Sequence, residues 1–434
     1  MTRVFVYGTL KRNFRNTHFL ESADFIGATA TAHTTWNMVD VVSLQSPGNT
    51  YPAVTKNGTH KISGEIYEVD DDTLKAIDRL ENVGSRYTRE YVDFDCGYRA
   101  YMYINIDPDL VSLPSSANII KTGDQILEWK DNEDPRSLII LDGGMGQELY
   151  RRGIRPDDPD KDLLWSANAL ETHFETVVDI HLEFIKADAK VLTTNTYCTN
   201  PDRLRRAGCP EAFDRLNELA CKAAHKAREQ SGLQHLLIAG SLPPLYGSYR
   251  PDLDQPVDVM RAEYKQMVEK IAPHVDLFLC ETMASSAEAL AAGTAAVESG
   301  LPLWIAFTLD DASPVLRSGE SLEEAISDIS HLAPQAILFN CCSPEVIGPA
   351  LQQARQVTDA ALGAYANGFK PIPENWRVDI EKLGVRQDLG PEDYLAFVKD
   401  WIETDAKIIG GCCEIGPAHI QTLSDYLQRV RGRT

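Results

Sequence analysis

Beyond residue 136 the chain alternates short, uninterrupted apolar runs with longer amphipathic segments, and this alternation restricts its fold more than any other feature. The runs are Leu138–Leu141, Val191–Thr194, Leu236–Ala239, Asp276–Leu279, Leu303–Phe307, Ala336–Phe339, Leu362–Tyr365 and Lys407–Ile409. A strand that is apolar on both faces must be buried on both, the condition of a parallel sheet covered by helices. Eight such runs across 137–434 fit a (β/α)8 barrel better than an open doubly wound sheet.

The first part of the chain reads differently. Val4–Tyr7, Gly64–Val69 and Tyr98–Tyr103 have the composition of strands, and Thr73–Leu80 has apolar residues at helical spacing behind Asp70-Asp71-Asp72. That acidic triplet is expected to cap the helix, because three consecutive side chains do not converge on one metal. The polar stretch Glu128–Pro135 lacks periodicity and ends in proline, so the domains are expected at 1–131 and 137–434 with a linker at 132–136.

A formal charge of −22 and the lack of a Lys/Arg stripe argue against nucleic acid as a partner. No apolar stretch has the length of a membrane span, and the start, Met1–Thr9, turns polar too soon for a secretion signal. A cytoplasmic protein acting on small molecules is expected, with the oligomeric state left open. Nine cysteines then read as reduced thiols rather than as a disulfide framework.

In a (β/α)8 barrel the chemistry gathers where each strand ends, so the residues after each run carry the functional signal. They are Asp142–Gly146, Asn195–Tyr197, Gly240–Pro244, Cys280–Thr282, Asn340–Cys342, Asn367–Phe369 and Gly410–Cys413. Cys341-Cys342 and Cys412-Cys413 follow runs separated by one strand, near enough to share a metal. For Cys96, Cys198, Cys209, Cys221 and Cys280 the plain reading as small buried hydrophobes prevails. For Cys412-Cys413 it does not, since Gly410-Gly411 are expected to give both thiols the freedom to turn to one point. Cys342 is expected to point away from Cys341, as neighbours on a strand do. Three thiolates with a vacant fourth position suit a catalytic zinc ion.

Taken in order, Leu141–Gly146, Thr194–Tyr197, Gly240-Ser241, Glu281-Thr282, Asn340-Cys341 and Gly410–Ile420 resemble the homocysteine S-methyltransferase family over residues 137–425. The resemblance implies zinc held by Cys341, Cys412 and Cys413, with Asp142 and Glu281 on the amino group of homocysteine; Gly143 and Asn195 on the same rim are substrate-binding candidates, Asn195 equally suiting a structural role. Tyr197 and Asn367 are further polar or stacking candidates that equally suit structural roles. Leu242-Pro243-Pro244 departs from the commoner family pattern and leaves the methyl donor open. No cobalamin or folate module follows, which favours a diffusible sulfonium such as S-methylmethionine or S-adenosylmethionine.

Residues 1–131 resemble the γ-glutamylcyclotransferase-like family through Val4–Arg12, Gly64–Tyr67, Leu80–Asn82 and Tyr87–Arg89. The resemblance implies that the loop Tyr7, Gly8, Thr9, Leu10 holds a γ-glutamyl compound and that Glu81 is the acid–base residue releasing 5-oxoproline. Asn13-Phe14 departs from the family where glycine is common. The expected architecture is therefore α/β: a C-terminal TIM barrel preceded by a smaller α+β γ-glutamylcyclotransferase-like barrel domain. Two other readings stand beside a bifunctional enzyme: a sole methyltransferase with a ligand-binding front module, and a structural or redox zinc–thiolate protein.

Overall fold

The structure is a computed structural model describing residues 2–11, 16–20, 22–42, 50–106, 112–113, 119–122, 125–129, 138–154, 163–233, 236–373 and 383–431. Two compact units divide the chain between residues 137 and 138. The expected linker at 132–136 and the Asn13-Phe14 pair lie outside the described residues.

The first unit contains β1 (Thr2–Val6), β2 (Asp24–Ala30), β3 (Trp36–Val42), β4 (Thr50–Lys56) and β5 (Lys61–Val69). After the helix Asp71–Leu80 come β6 (Tyr87–Asp93), β7 (Arg99–Asn105), β8 (Ser112–Leu113), β9 (Ile119–Thr122) and β10 (Ile126–Trp129). One mixed sheet runs β6-β7-β1-β5-β10-β9 with β2 also on β5, and a second runs β4-β3-β8. Burial alternates along β5, and the inward residues Ile62 and Ile66 join Phe5 with Trp36, Met38 and Val54 of the second sheet in one apolar cluster. The helix begins as its sequence demands: Asp70 accepts a hydrogen bond from Thr73 N at 2.7 Å, with Asp71 and Asp72 in the first turn.

The second unit has eight parallel strands: β11 (Ile139–Ile140), β12 (Val191–Thr193), β13 (Leu237–Leu242), β14 (Leu277–Met283), β15 (Leu303–Phe307), β16 (Ala336–Asn340), β17 (Ala361–Tyr365) and β18 (Ala406–Ile409). Each contains or overlaps one of the apolar runs. Hydrogen bonding is continuous from β11 through β18 and down to β12. The ring closes by a parallel bridge of Leu141 to Val191, with Lys190 N donating to Ile140 O at 2.7 Å. β13 to β16 are buried at every residue, so their inner faces fill the barrel while their outer faces pack on helices such as Val257–Ile271 and Ser286–Val297. Among the described residues no helix is long and apolar enough to cross a membrane.

Candidate active site at the barrel mouth

A cavity of about 120 Å³ opens at the C-terminal ends of the barrel strands. Asp142, Gly143, Asn195, Tyr197, Glu281, Cys341, Cys412 and Cys413 all line it. Asn367 does not line it; its Oδ1 accepts from Phe369 N and so shapes the loop that puts Phe369 in the wall.

The Sγ atoms of Cys341, Cys412 and Cys413 lie within 4.8 Å of one another, and Cys412 Sγ donates to Cys341 Sγ at 2.9 Å. Around one tetrahedral zinc, bonds of about 2.3 Å place sulfurs about 3.8 Å apart, so this donor set fits a single ion with small adjustments. Hydrogen bonds from Cys412 and then Cys413 pull the Cys341 thiol well below its ordinary pKa, and Tyr249, 2.9 Å away through its hydroxyl, adds to the effect. Cys342 sits wholly buried in the outer core, and burial pushes its thiol up to about 12.

The reason that Cys341 and Cys342 diverge differs from simple strand alternation. Cys341 follows β16 with φ +52°, a left-handed turn that separates the two side chains. Thr308 Oγ1 donates to Cys341 O at 3.2 Å, and Cys341 N donates to Tyr365 O at 3.2 Å. The glycines near Cys412 also act differently from the freedom expected of them. A Cβ on Gly410 would meet Leu141 Cβ at 2.5 Å and one on Gly144 would meet Cys412 O at 2.7 Å, so these glycines permit close packing of β18 and its loop against the end of β11. Arg151 fixes the loop from outside, donating to Glu414 O at 2.9 Å and pairing with its carboxylate at 2.7 Å.

Asp142 accepts from Thr193 N at 2.7 Å and from Thr193 Oγ1 at 2.8 Å, while burial pushes its carboxyl up to about 7. Glu281 accepts from Ser241 Oγ and from Tyr365 OH at 3.5 Å; burial pushes it to about 7 as well, and the nearby Cys341 and Asp142 add to the rise. Glu281 lies within β14 rather than beyond it. The register with β15 shifts between Cys280 and Met283, and Thr282 has φ +63°, an unusual conformation for a β-branched residue. This bulge leaves Cys280 in the outer core and Glu281 in the cavity. Asn340 clamps it: its Oδ1 accepts from Thr282 N at 2.8 Å and its Nδ2 donates to Thr282 Oγ1 at 3.0 Å.

Sequence reasoning passed over Trp165, Tyr249 and Arg203, which also line the cavity. Asn195 Nδ2 donates to Ser166 O at 3.0 Å, next to Trp165, and Tyr197 OH lies 2.8 Å from Ser248 Oγ. Arg317, paired with Asp311 at 2.9 Å, stacks 4.8 Å from the Tyr249 ring centre. The run Tyr246–Arg250 carried an aromatic signal, but loop side chains find their targets only through tertiary packing.

In the first unit Glu81 caps the C-terminus of the helix Asp71–Leu80, and burial pushes its carboxyl up to about 7. Its charge contributes to raising the phenols of Tyr7, Tyr87 and Tyr103 above their ordinary range, burial being the main cause in each. Tyr7 OH donates to Tyr103 O at 2.8 Å. Gly8 is packed so closely on Pro52 that a Cβ would lie 2.5 Å from Pro52 Cγ, and Thr9 is tied to Asn16 through backbone and side chain. The Leu10 side chain is buried in an apolar cluster with Val4, Val6 and Tyr67.

The second unit is a parallel (β/α)8 barrel with three clustered thiols and two buried carboxylates at its mouth, and comparison with known proteins narrows its class. A model of the homocysteine S-methyltransferase family matches residues 139–427. Homocysteine S-methyltransferase of Escherichia coli K12 is 31% identical over 313 residues, covering 67% of this chain and 95% of the relative. Homocysteine S-methyltransferase 1 of Brassica oleracea var. italica is 29% identical, covering 67% and 93%. The crystal structure of the E. coli homocysteine methyltransferase MmuM in its metallated form superposes with a TM-score of 0.57 at 27% identity, covering 67% of this chain and 96% of that one. The chain belongs to the homocysteine S-methyltransferase family. Residues 4–124 match a second family model, gamma-glutamyl cyclotransferase, AIG2-like.

Proposed function

We propose that the barrel transfers a methyl group from a sulfonium donor, S-methylmethionine or S-adenosylmethionine, to the thiol of homocysteine, with zinc held by Cys341, Cys412 and Cys413. The observation that carries this is the convergence of three thiol sulfurs in the same cavity as two buried carboxylates. Zinc bound by three thiolates leaves a fourth position open and lowers the pKa of a thiol placed there. Asp142 and Glu281 take the homocysteine ammonium and fix the sulfur in line with the incoming methyl, a contribution of orientation. Trp165 and Phe369 offer aromatic surface to a cationic donor, while the Tyr197 and Tyr249 rings already face Arg203 and Arg317.

A new S–CH3 bond forms on homocysteine as the donor's S–CH3 bond breaks, and that bonding pair stays on the donor sulfur, which becomes a neutral thioether. A negative nucleophile and a positive donor thus yield neutral products, so a desolvated cavity favours the step. A panel of S-methylmethionine, S-adenosylmethionine and betaine with homocysteine tests the reading. Methionine formed fastest from a sulfonium supports it, and formation from betaine alone overturns the donor class.

We further propose that the first unit releases 5-oxoproline from γ-glutamyl compounds. The γ-glutamyl α-amine attacks the γ-carbonyl, and one carboxylate must accept its proton and return it to the leaving nitrogen. A carboxyl shifted to about 7, as at Glu81, matches that dual task at neutral pH. No release from any γ-glutamyl amine by the wild type would make this unit a binding module.

A further inference from the structure

Arg203 has no part in the chemistry described so far. It lies on the helix Pro201–Arg206 after β12, is only 3% exposed, and lines the cavity with Asp142, Glu281 and the thiols. Its helix neighbours Arg205 and Arg206 are exposed and both pair with Asp202. Arg203 pairs with no carboxylate among the described residues. Its Nη1 donates to Cys198 Sγ at 2.9 Å, its Nε has no partner, and its guanidinium carbon stands 5.9 Å from the Tyr197 ring centre.

A guanidinium does not shed its charge on burial, and buried charges are almost always paired. A sulfur acceptor and a ring face replace its lost hydration weakly. The missing partner is an anion entering the cavity, and the planar fork of arginine fits a carboxylate best. With Asp142 and Glu281 supplying negative charge elsewhere in the same cavity, the walls suit a zwitterion: an ammonium toward the carboxylates, a carboxylate toward Arg203.

We propose that Arg203 binds the α-carboxylate of an amino-acid substrate. This rests on reading the cavity as the methyl-transfer site. Homocysteine and an amino-acid sulfonium donor both carry that group, and kinetics separates them.

The test compares equilibrium binding of L-methionine with that of 3-(methylthio)propylamine, which lacks only the carboxylate, to the zinc-loaded wild type, Arg203→Met and Arg203→Lys. Wild type should prefer L-methionine on the order of 10- to 100-fold, Arg203→Met should lose the preference, and Arg203→Lys should retain part of it. Equal binding of the two compounds by the wild type, or a preference undiminished in Arg203→Met, overturns the proposal. Should Arg203→Met fail to fold, an undiminished preference in Arg203→Lys overturns it equally. In turnover assays a KM rising by a similar factor for homocysteine or for S-methylmethionine assigns the carboxylate to that substrate, and neither rising overturns the proposal. Arg203-dependent discrimination in a wild type that methylates nothing would refute methyl transfer and leave the carboxylate site standing.

Discussion

Asp142 and Glu281 both titrate near 7 because burial disfavours their charged forms, and this has two measurable consequences. Only the ionised carboxylates hold an ammonium, so KM for homocysteine should rise between pH 7.5 and 6 by about tenfold if one carboxylate decides and by on the order of 70-fold if both must be ionised. A KM flat across that range contradicts the assigned role. For stability the sign is opposite. Between the ordinary carboxyl value near 4 and about 7 the folded chain holds a proton at Asp142 that the unfolded chain has lost. Stability therefore declines as pH rises through this window, and the cost is complete above it. Asp142→Asn removes that cost, worth at most about 4 kcal/mol, and sacrifices part of the bonding to Thr193, so a net gain of about 1–2 kcal/mol at pH 8 is expected in urea denaturation, together with weak homocysteine binding. In the first unit, Glu81→Gln keeps the shape but cannot shuttle a proton, and release of 5-oxoproline should fall at least about 100-fold.

At the scale of elements, the site depends on the ends of β14 and β16 being held out of regular geometry. Asn340 fixes left-handed Thr282 with two hydrogen bonds and directly precedes left-handed Cys341. Asn340→Ala should cost about 2–3 kcal/mol of stability and, by letting Glu281 and Cys341 shift, lower kcat/KM on the order of 100-fold. A loss of stability with unchanged kcat/KM would show that the clamp is only structural. The same elements mark how far the sequence can be read. All eight strands were visible as apolar runs, because a strand buried on both faces leaves a local signature, and strand-end logic then gathered Asp142, Glu281, Cys341, Cys412 and Cys413 at one mouth. The bulge at Glu281 was not visible, since a β-branched Thr282 argues against the conformation it adopts. Tyr249, on a loop, and Arg203, on the short helix after β12, were passed over because their roles come from tertiary packing against distant residues. The first unit was legible in β5 and the capped helix, where alternation and N-capping are local. Which side chains surround Glu81 was not, as Tyr7 and Tyr103 meet across a register that no short motif encodes.

For the whole molecule, each compact unit carries its own candidate site, Glu81 in one and the thiol triad in the other. The two proposed activities should therefore separate cleanly: Cys412→Ala should leave 5-oxoproline release unchanged, and Glu81→Gln should leave methyl transfer unchanged, each measured on the full chain. The most direct test of the central claim is zinc content per chain measured alongside methyl transfer from S-methylmethionine to homocysteine, in wild type and in Cys412→Ala. One zinc per wild-type chain is expected, with the zinc and at least about 1,000-fold of the activity lost together in the variant. A Cys412→Ala protein that keeps its zinc and its activity, or a zinc-free wild type that still methylates homocysteine, would contradict it.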